Sequence, residues 1–524
     1  MKKTVLLLSG IMVMSCTSQQ KKLVYPETTK VDTIDVYFGT EVPDPYRWLE
    51  NDTSAATAAW VEAENKVTNA YLAQIPFREQ LLKRLTDLAN YEKIGTPFKK
   101  HGKYYFYKND GLQNQSVLYV QDSLDGEARV FLDPNQLSDD GTVALTSLSF
   151  SNDGKYTAYT ISRSGSDWSE IYVMDTATGK LLEDHINWAK FTGAAWQKDG
   201  FYYSAYDAPA KGKEFSNVNE NHKIYYHKIG TPQAEDKLIY ENPAYPKRFY
   251  SAGTSKDERI LFIYESGAGR GNNLFIKDLK KSNAPLIQLT TDFDYQYSPI
   301  EVIGDKMYIF TNYGAPKNRI MVVDINNPIL ENWTELVPEC SNVLSDAEII
   351  GGKLFLTYDK DASNHAYVHD LNGKRLHEIK LPSLGSISFS GTKDDKECFF
   401  GFTSFTTPGA TYKYDMDTNT YELYRAPKVK FNPDEFITEQ IFFPSKDGVM
   451  IPMFLTYKKD LKRDGQNPVF LYGYGGFGIS LNPGFSINRI PFLENGGIYA
   501  QVNLRGGNEY GEEWHVAGTK MEKQ

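Results

Sequence analysis

Cysteine is scarce. Cys16, Cys340 and Cys398 are the three in 524 residues, and no Cys-x-x-Cys pair or Cys/His cluster accompanies them. A structural zinc site needs such a cluster, so no metal is expected. Cys340 and Cys398 read as two buried free thiols, with a bridge between them as the alternative. Long apolar runs are missing too. The one near the start, residues 5–14, is too short to span a bilayer, and no later segment is apolar enough. This excludes a polytopic membrane protein. Positive charge is not in excess: 57 Lys and Arg stand against 67 Asp and Glu, for a net charge of −10. A face for nucleic-acid phosphates needs concentrated basic residues, so no nucleic-acid partner is expected.

What is present has globular proportions. Apolar residues make up 41% and charged residues 24%, which excludes a disordered or collagen-like chain. The length suggests roughly three domains, or fewer if one is a large β architecture. Tyr (36), Phe (29) and Gly (40) lean towards strands and tight turns.

The start carries Lys2 and Lys3, the apolar run, then Ser15 and Cys16. A positive end, a short apolar stretch and a small residue describe a secretory signal peptide. Cys16 sits where a bacterial lipoprotein carries its lipid-modified cysteine, although Met14 stands where that pattern usually has a small residue. Residues 1–16 are read as a lipoprotein-type signal and 17–22 as a polar tether, with an ordinary exported protein as the alternative. The expected location is periplasmic, or anchored at a bacterial membrane through lipidated Cys16.

A repeat follows. A turn with Gly or Asp, and usually Lys, precedes an aromatic β run. About twenty residues later a second β run ends in a polar turn. Gly102, Gly154, Gly200, Asp257, Asp305, Gly352 and Asp395 mark seven units, with steps of 52, 46, 57, 48, 47 and 43 residues. Such steps suit four-stranded blades of a seven-bladed β-propeller, whose closed ring leaves few exposed edges. The alternative is an irregular array of hairpins in a sandwich. A propeller alone argues for a binding platform as readily as for catalysis.

Both flanks differ from the repeat. Residues 54–88 read as helical, with Trp60, Val61, Val67, Tyr71 and Leu72 at roughly helical spacing and Pro76 dividing two helices. After Pro427 come two β runs around Lys446-Asp447-Gly448, a hairpin turn signal. Residues 468–472 and 497–504 then read as buried strands of a parallel sheet. The first runs into Gly473-Tyr474-Gly475-Gly476-Phe477-Gly478. The second runs into Arg505-Gly506-Gly507-Asn508-Glu509-Tyr510-Gly511, followed by a helix start. Such turns bring backbone and a large side chain to the carboxyl edge of a sheet, where α/β sites lie. No acidic partner follows in a dinucleotide-binding context, so no organic cofactor is expected.

With these stretches the sequence resembles the prolyl oligopeptidase family of serine peptidases. Asp44-Pro45-Tyr46-Arg47-Trp48-Leu49-Glu50, Gly165-Ser166-Asp167-Trp168, Pro444-Ser445-Lys446-Asp447-Gly448 and both glycine stretches carry the likeness, which extends from about Tyr25 to the last residue. The resemblance implies a mostly β fold: a seven-bladed β-propeller plus an incomplete α/β-hydrolase domain. Residues 17–90 would be a linker and the N-terminal helical part of the hydrolase domain. Residues 91–430 would be the propeller, and 431–524 the first part of the hydrolase domain. It also implies a monomer that hydrolyses short proline-containing peptides after proline, with the propeller restricting substrate size. Tyr474 would donate to the oxyanion, an interaction worth roughly 3–4 kcal/mol in a preorganised site. Phe477 would line the proline pocket, and Phe191 would line the substrate site from the propeller. For Tyr474 the alternative is a packed turn residue, and for Phe191 blade core. Arg505 and Glu512 read as structural. Asn508 replaces the usual third glycine of that stretch.

The chemistry of such a hydrolase needs Gly-x-Ser-x-Gly on a strand-to-helix elbow, then Asp, then His. No serine fits: Ser480, in Gly478-Ile479-Ser480-Leu481-Asn482, lacks the second glycine. Seven of the eight histidines fall in the repeat, and His515 precedes where the nucleophile would stand. Residues 514–524 read as a helix with no stop signal. The expectation is a chain that lacks the Ser/Asp/His region and is by itself inactive. Two other readings remain: a related oligopeptidase of different specificity, and a non-catalytic propeller used as a binding module.

Overall fold

The computed structural model describes residues 22–215 and 217–523. Cys16 and the signal segment lie outside the described residues. Two compact units divide the chain between Arg84 and Leu85.

In the first unit, Ile34–Tyr37 and Thr40–Pro43 form a hairpin. Arg47 is held by Asp44 (Nε–Oδ2 2.7 Å) and by Asp35. Helix α1 (Ala55–Leu72) starts at Ser54, whose hydroxyl accepts from the Thr57 amide at 3.1 Å, a side-chain N-cap. Pro76 lies between α1 and α2 (Arg78–Ala89), where the ring cannot continue a helix. Helix α2 runs across the division.

The second unit begins with seven antiparallel blades in chain order, the second and third joined in one eight-stranded sheet. Each of the two runs marked in the sequence forms the second and third strand of a blade. In blade 6 the strands are Val343–Ile350, Lys353–Lys360, Ser363–His369 and Arg375–Ile379. The second strand is the most buried, because it has a paired neighbour on both edges and a blade on both faces. Blades 2 and 3 share one further pairing, Ala189 with Ala205. Every sheet uses consecutive strands only, so side chains close the ring between blades 7 and 1. Ser390 Oγ donates to the Pro97 carbonyl at 2.8 Å, Tyr424 OH to the Leu124 carbonyl at 3.2 Å, and Tyr104 OH to Glu397. The apolar core is a circle of interfaces between neighbouring blades, for example Ile260, Leu274, Met307 and Ile309 between blades 4 and 5. Burying each such side chain contributes about 1.5–3 kcal/mol.

A mixed sheet follows. Phe436–Pro444 pairs antiparallel with Met450–Lys458, which pairs antiparallel with Ile498–Val502. Val469–Gly473 lies at the edge, parallel to Ile498–Val502. Helix α3 (Ile490–Glu494) covers part of one face. Its Ile490 and Leu493 join Phe454 and Tyr499 of the sheet, and Ala362 and Phe405 of blades 6 and 7, in one cluster.

Three sequence expectations change. Val469, Phe470 and Leu471 were expected in a buried strand, yet they are 57%, 56% and 67% exposed, because this strand has a single neighbour. The expected helix over 514–524 is instead the short α4 (Glu512–Val516) followed by a single 3-10 turn, Lys520–Glu522. Gly518 ends it: a Cβ there would lie 2.2 Å from the Arg505 carbonyl carbon, so the chain must leave the helix to pass so close. The two thiols are both free, but Cys398 alone is buried and Cys340 is exposed, which removes the bridge.

Candidate active site

Val469–Gly473 and Ile498–Val502 run parallel, so both glycine turns leave the same edge of the sheet. The turns stack backbone on backbone. The Gly478 amide donates to the Gly506 carbonyl at 2.9 Å. A Cβ on Gly506, whose φ is +101°, would sit 2.2 Å from the Gly475 carbonyl oxygen. Lys523 Nζ ties the pair together by donating to the carbonyls of Gly475 and Arg505, the latter at 3.0 Å. The second turn is held from below: Arg505 reaches Ser445 Oγ at 3.2 Å and pairs with Asp447, whose carboxyl the guanidinium keeps below its ordinary range. Arg505 is therefore structural, as expected. Asn508 keeps a negative φ, so the missing third glycine costs the backbone nothing there.

Tyr474 stands on the first turn, 45% exposed, and its hydroxyl has no hydrogen-bond partner among the described residues. The packed alternative for this residue falls away. Phe477 is 88% exposed at a φ of +54°. It projects into a cavity of about 1300 Å³ between the turns and the propeller. Asn508, Glu512 and His515 line it from the sheet side, and Arg270, Asp294 and Asn318 from blades 4 and 5. His515 Nδ1 lies 2.9 Å from the Gly506 carbonyl, which fixes its ring against the second turn. Glu512 does more than hold the helix start. Its carboxylate pairs with Arg270 of blade 4, and its amide donates to the Pro316 carbonyl of blade 5 at 2.8 Å.

Phe191 stands apart from this cavity, on the connection between blades 2 and 3. It is 53% exposed at a φ of +53°, which removes the blade-core alternative. Its ring packs on Phe249 at 5.5 Å, with the Lys190 ammonium 5.3 Å from its centroid. Phe477 lines the cavity, whereas Tyr474 and Phe191 are not among the lining residues. Arg270, Asp294 and Asn318 carried no signal in the sequence, because polar residues are ordinary in propeller turns.

A family model described as "Prolyl oligopeptidase, N-terminal beta-propeller domain" matches residues 26–427. The chain belongs to the prolyl oligopeptidase family. A second model, "Prolyl oligopeptidase family", matches residues 483–524. A prolyl endopeptidase of Elizabethkingia meningoseptica is 48% identical over 505 residues, 96% of this chain and 71% of the relative. Prolyl oligopeptidase A of Amanita bisporigera is 34% identical, over 98% of this chain and 73% of its own length. Among solved structures, one from a study of two prolyl endopeptidases superposes with a TM-score of 0.89 at 34% identity, covering 96% of this chain and 74% of the other. Prolyl oligopeptidase B of Galerina marginata, bound to a 35mer substrate, gives 0.87 at 31% identity over 96% of this chain and 74% of its own. The apo form of that fungal protein gives 0.74. The fold is that of the family: mostly β, seven propeller sheets and the start of the α/β-hydrolase region.

Proposed function

We propose that this chain carries the propeller and the oxyanion side of a serine endopeptidase that cleaves short peptides after proline. The observation that carries the reading is Tyr474, an exposed hydroxyl without a partner, on a turn whose backbone is locked to a second glycine turn beside a large cavity. In acyl-enzyme chemistry a serine attacks the carbonyl, a histidine moves the proton and an aspartate orients the histidine. Tyr474 would donate to the oxygen as it gains charge. Phe477 offers an aromatic wall to a proline ring. Phe191, with Phe249 beside it, offers a second apolar surface on the propeller. The 524 residues contain no Gly-x-Ser-x-Gly serine, so they supply binding and electrostatics without the nucleophile.

Purified chain incubated with peptide amides bearing proline, arginine or alanine before the scissile bond tests this. Binding of the proline peptide with no cleavage is expected. Release of product from any of them would overturn the assignment. For the N-terminus we infer export with a lipid on Cys16. The intact mass of membrane-extracted protein tests it, and a mass without diacylglycerol would refute it.

A further inference from the structure

The seam between blade 6 and the hydrolase sheet holds two buried carboxylates with no cation. Asp359 is 2% exposed and Glu509 is 1% exposed. Among the described residues no lysine, arginine or histidine forms an ion pair with either. Asp359, near the end of the second strand of blade 6, accepts from Asn364 Nδ2 at 2.6 Å and Ser345 Oγ at 3.3 Å within the blade. It also accepts from Asn482 Nδ2 at 3.1 Å, across the seam. Glu509 Oε1 accepts from the Leu481 amide at 2.9 Å and Asn503 Nδ2 at 3.2 Å, while its Oε2 is buried with no partner. Residues 481 and 482 thus link one carboxylate to the other. Around them the seam is knit further: Ser386 Oγ donates to the Pro483 carbonyl at 2.7 Å, and Tyr510 OH to Asp361 at 3.0 Å.

Two buried negative charges without a counter-ion cost far more than their hydrogen bonds return. Every group that hydrogen-bonds Asp359 is neutral, and the negative charge of Glu509 raises it further. Burial, chiefly, pushes the Asp359 carboxyl up to about 6, against the pull of its three hydrogen-bond donors. Asn482 and Asn503 spend their Nδ2 groups on Asp359, Glu509 and the Leu481 carbonyl, and their Oδ1 atoms are buried without a partner.

We propose that Asp359 is a proton-held clasp: a proton on its buried carboxyl, which Asn482 reaches across the seam, tightens the contact between propeller and hydrolase sheet, and its loss loosens it. The sign follows from linkage. The closed seam binds the proton more tightly than a hydrated carboxyl does, so closure is favoured as pH falls and weakened as it rises through neutrality.

Hydrogen exchange of the Leu481 amide in the full chain, corrected for the intrinsic chemical rate, reads the clasp directly. Protection should rise about tenfold between pH 8 and pH 5 in the wild type. It should stay level in Asp359→Asn, which keeps the acceptor oxygen and removes the titration. Glu509→Gln, which removes the negative charge that helps to raise Asp359, should move the rise to lower pH. The Ile309 amide in blade 5 serves as the reference and should not follow. If Leu481 protection in Asp359→Asn tracks the wild type, the proposal fails. It fails too if protection follows added Na⁺ or Ca²⁺ at fixed pH, which would put a cation where the proton is assigned.

Discussion

Arg270 of blade 4 and Glu512 of helix α4 form an ion pair across the wide side of the cavity, where the propeller and the hydrolase sheet otherwise meet through the Glu512 amide and Pro316. The opposite side, around Asp359, Phe405 and Phe454, is buried and knit by several contacts. The two sides differ in what they ask of solvent: one is an exposed pair that salt screens, the other a dry seam.

The Arg270 pair is 46% and 26% exposed, so its worth is modest. Arg270→Ala should cost at most about 1 kcal/mol of unfolding free energy at low salt and nothing measurable at 1 M salt. Urea denaturation at two salt concentrations checks this. A loss of similar size at both would show that the arginine packs rather than pairs.

Gly506 should be irreplaceable for the site. A methyl group there meets the Gly475 carbonyl at 2.2 Å on a backbone with φ of +101°. Gly506→Ala should therefore separate the stacked turns and lower stability by about 1–3 kcal/mol from backbone strain alone. Thermal unfolding gives the cost, and tyrosine fluorescence or NMR of Tyr474 reports whether the first turn has moved. An unchanged Tyr474 signal with full stability would contradict the stacking.

His227 lies between Asp236 (Nδ1–Oδ1 2.7 Å) and Asp184 (Nε2–Oδ1 3.0 Å), and is fully buried. Burial works to lower its pKa, but the two carboxylates outweigh it and raise it. A histidine whose folded pKa is raised contributes stability that is complete below its unfolded value, near 6.5, and is lost as pH rises through the folded one. His227→Gln should thus destabilise the propeller more at pH 6 than at pH 9. Melting temperatures of both proteins across that range test it, and parallel curves would show that the imidazole is neutral.

Much of this architecture was legible because each blade's middle strands must be apolar on both faces. Tyr156–Arg163 and Lys353–Lys360 are buried at nearly every position, and the turns before them carry Gly and Asp. The outer strands escaped notice. Arg129–Leu132 and Thr420–Arg425 face solvent along one edge, so composition does not mark them. The glycine turns were legible for the same reason that they work, since close backbone approach admits no side chain. Phe191 was harder: an aromatic beside Lys190 in a strand-rich region reads as core, and only its left-handed backbone turns it outward. The Asp359–Glu509 pair could not be read at all. Its members are 150 positions apart in the sequence, and burial, not residue type, makes them unusual.

The most direct test of the central claim is a titration of the purified 524-residue chain with matched proline and alanine peptides, run on the wild type and on Phe477→Ala. The expected result is binding of the proline peptide, no turnover, and a loss of about tenfold in affinity on removing the ring, equivalent to ~1.4 kcal/mol. Equal binding of both peptides by both proteins, or cleavage of either peptide, would contradict it.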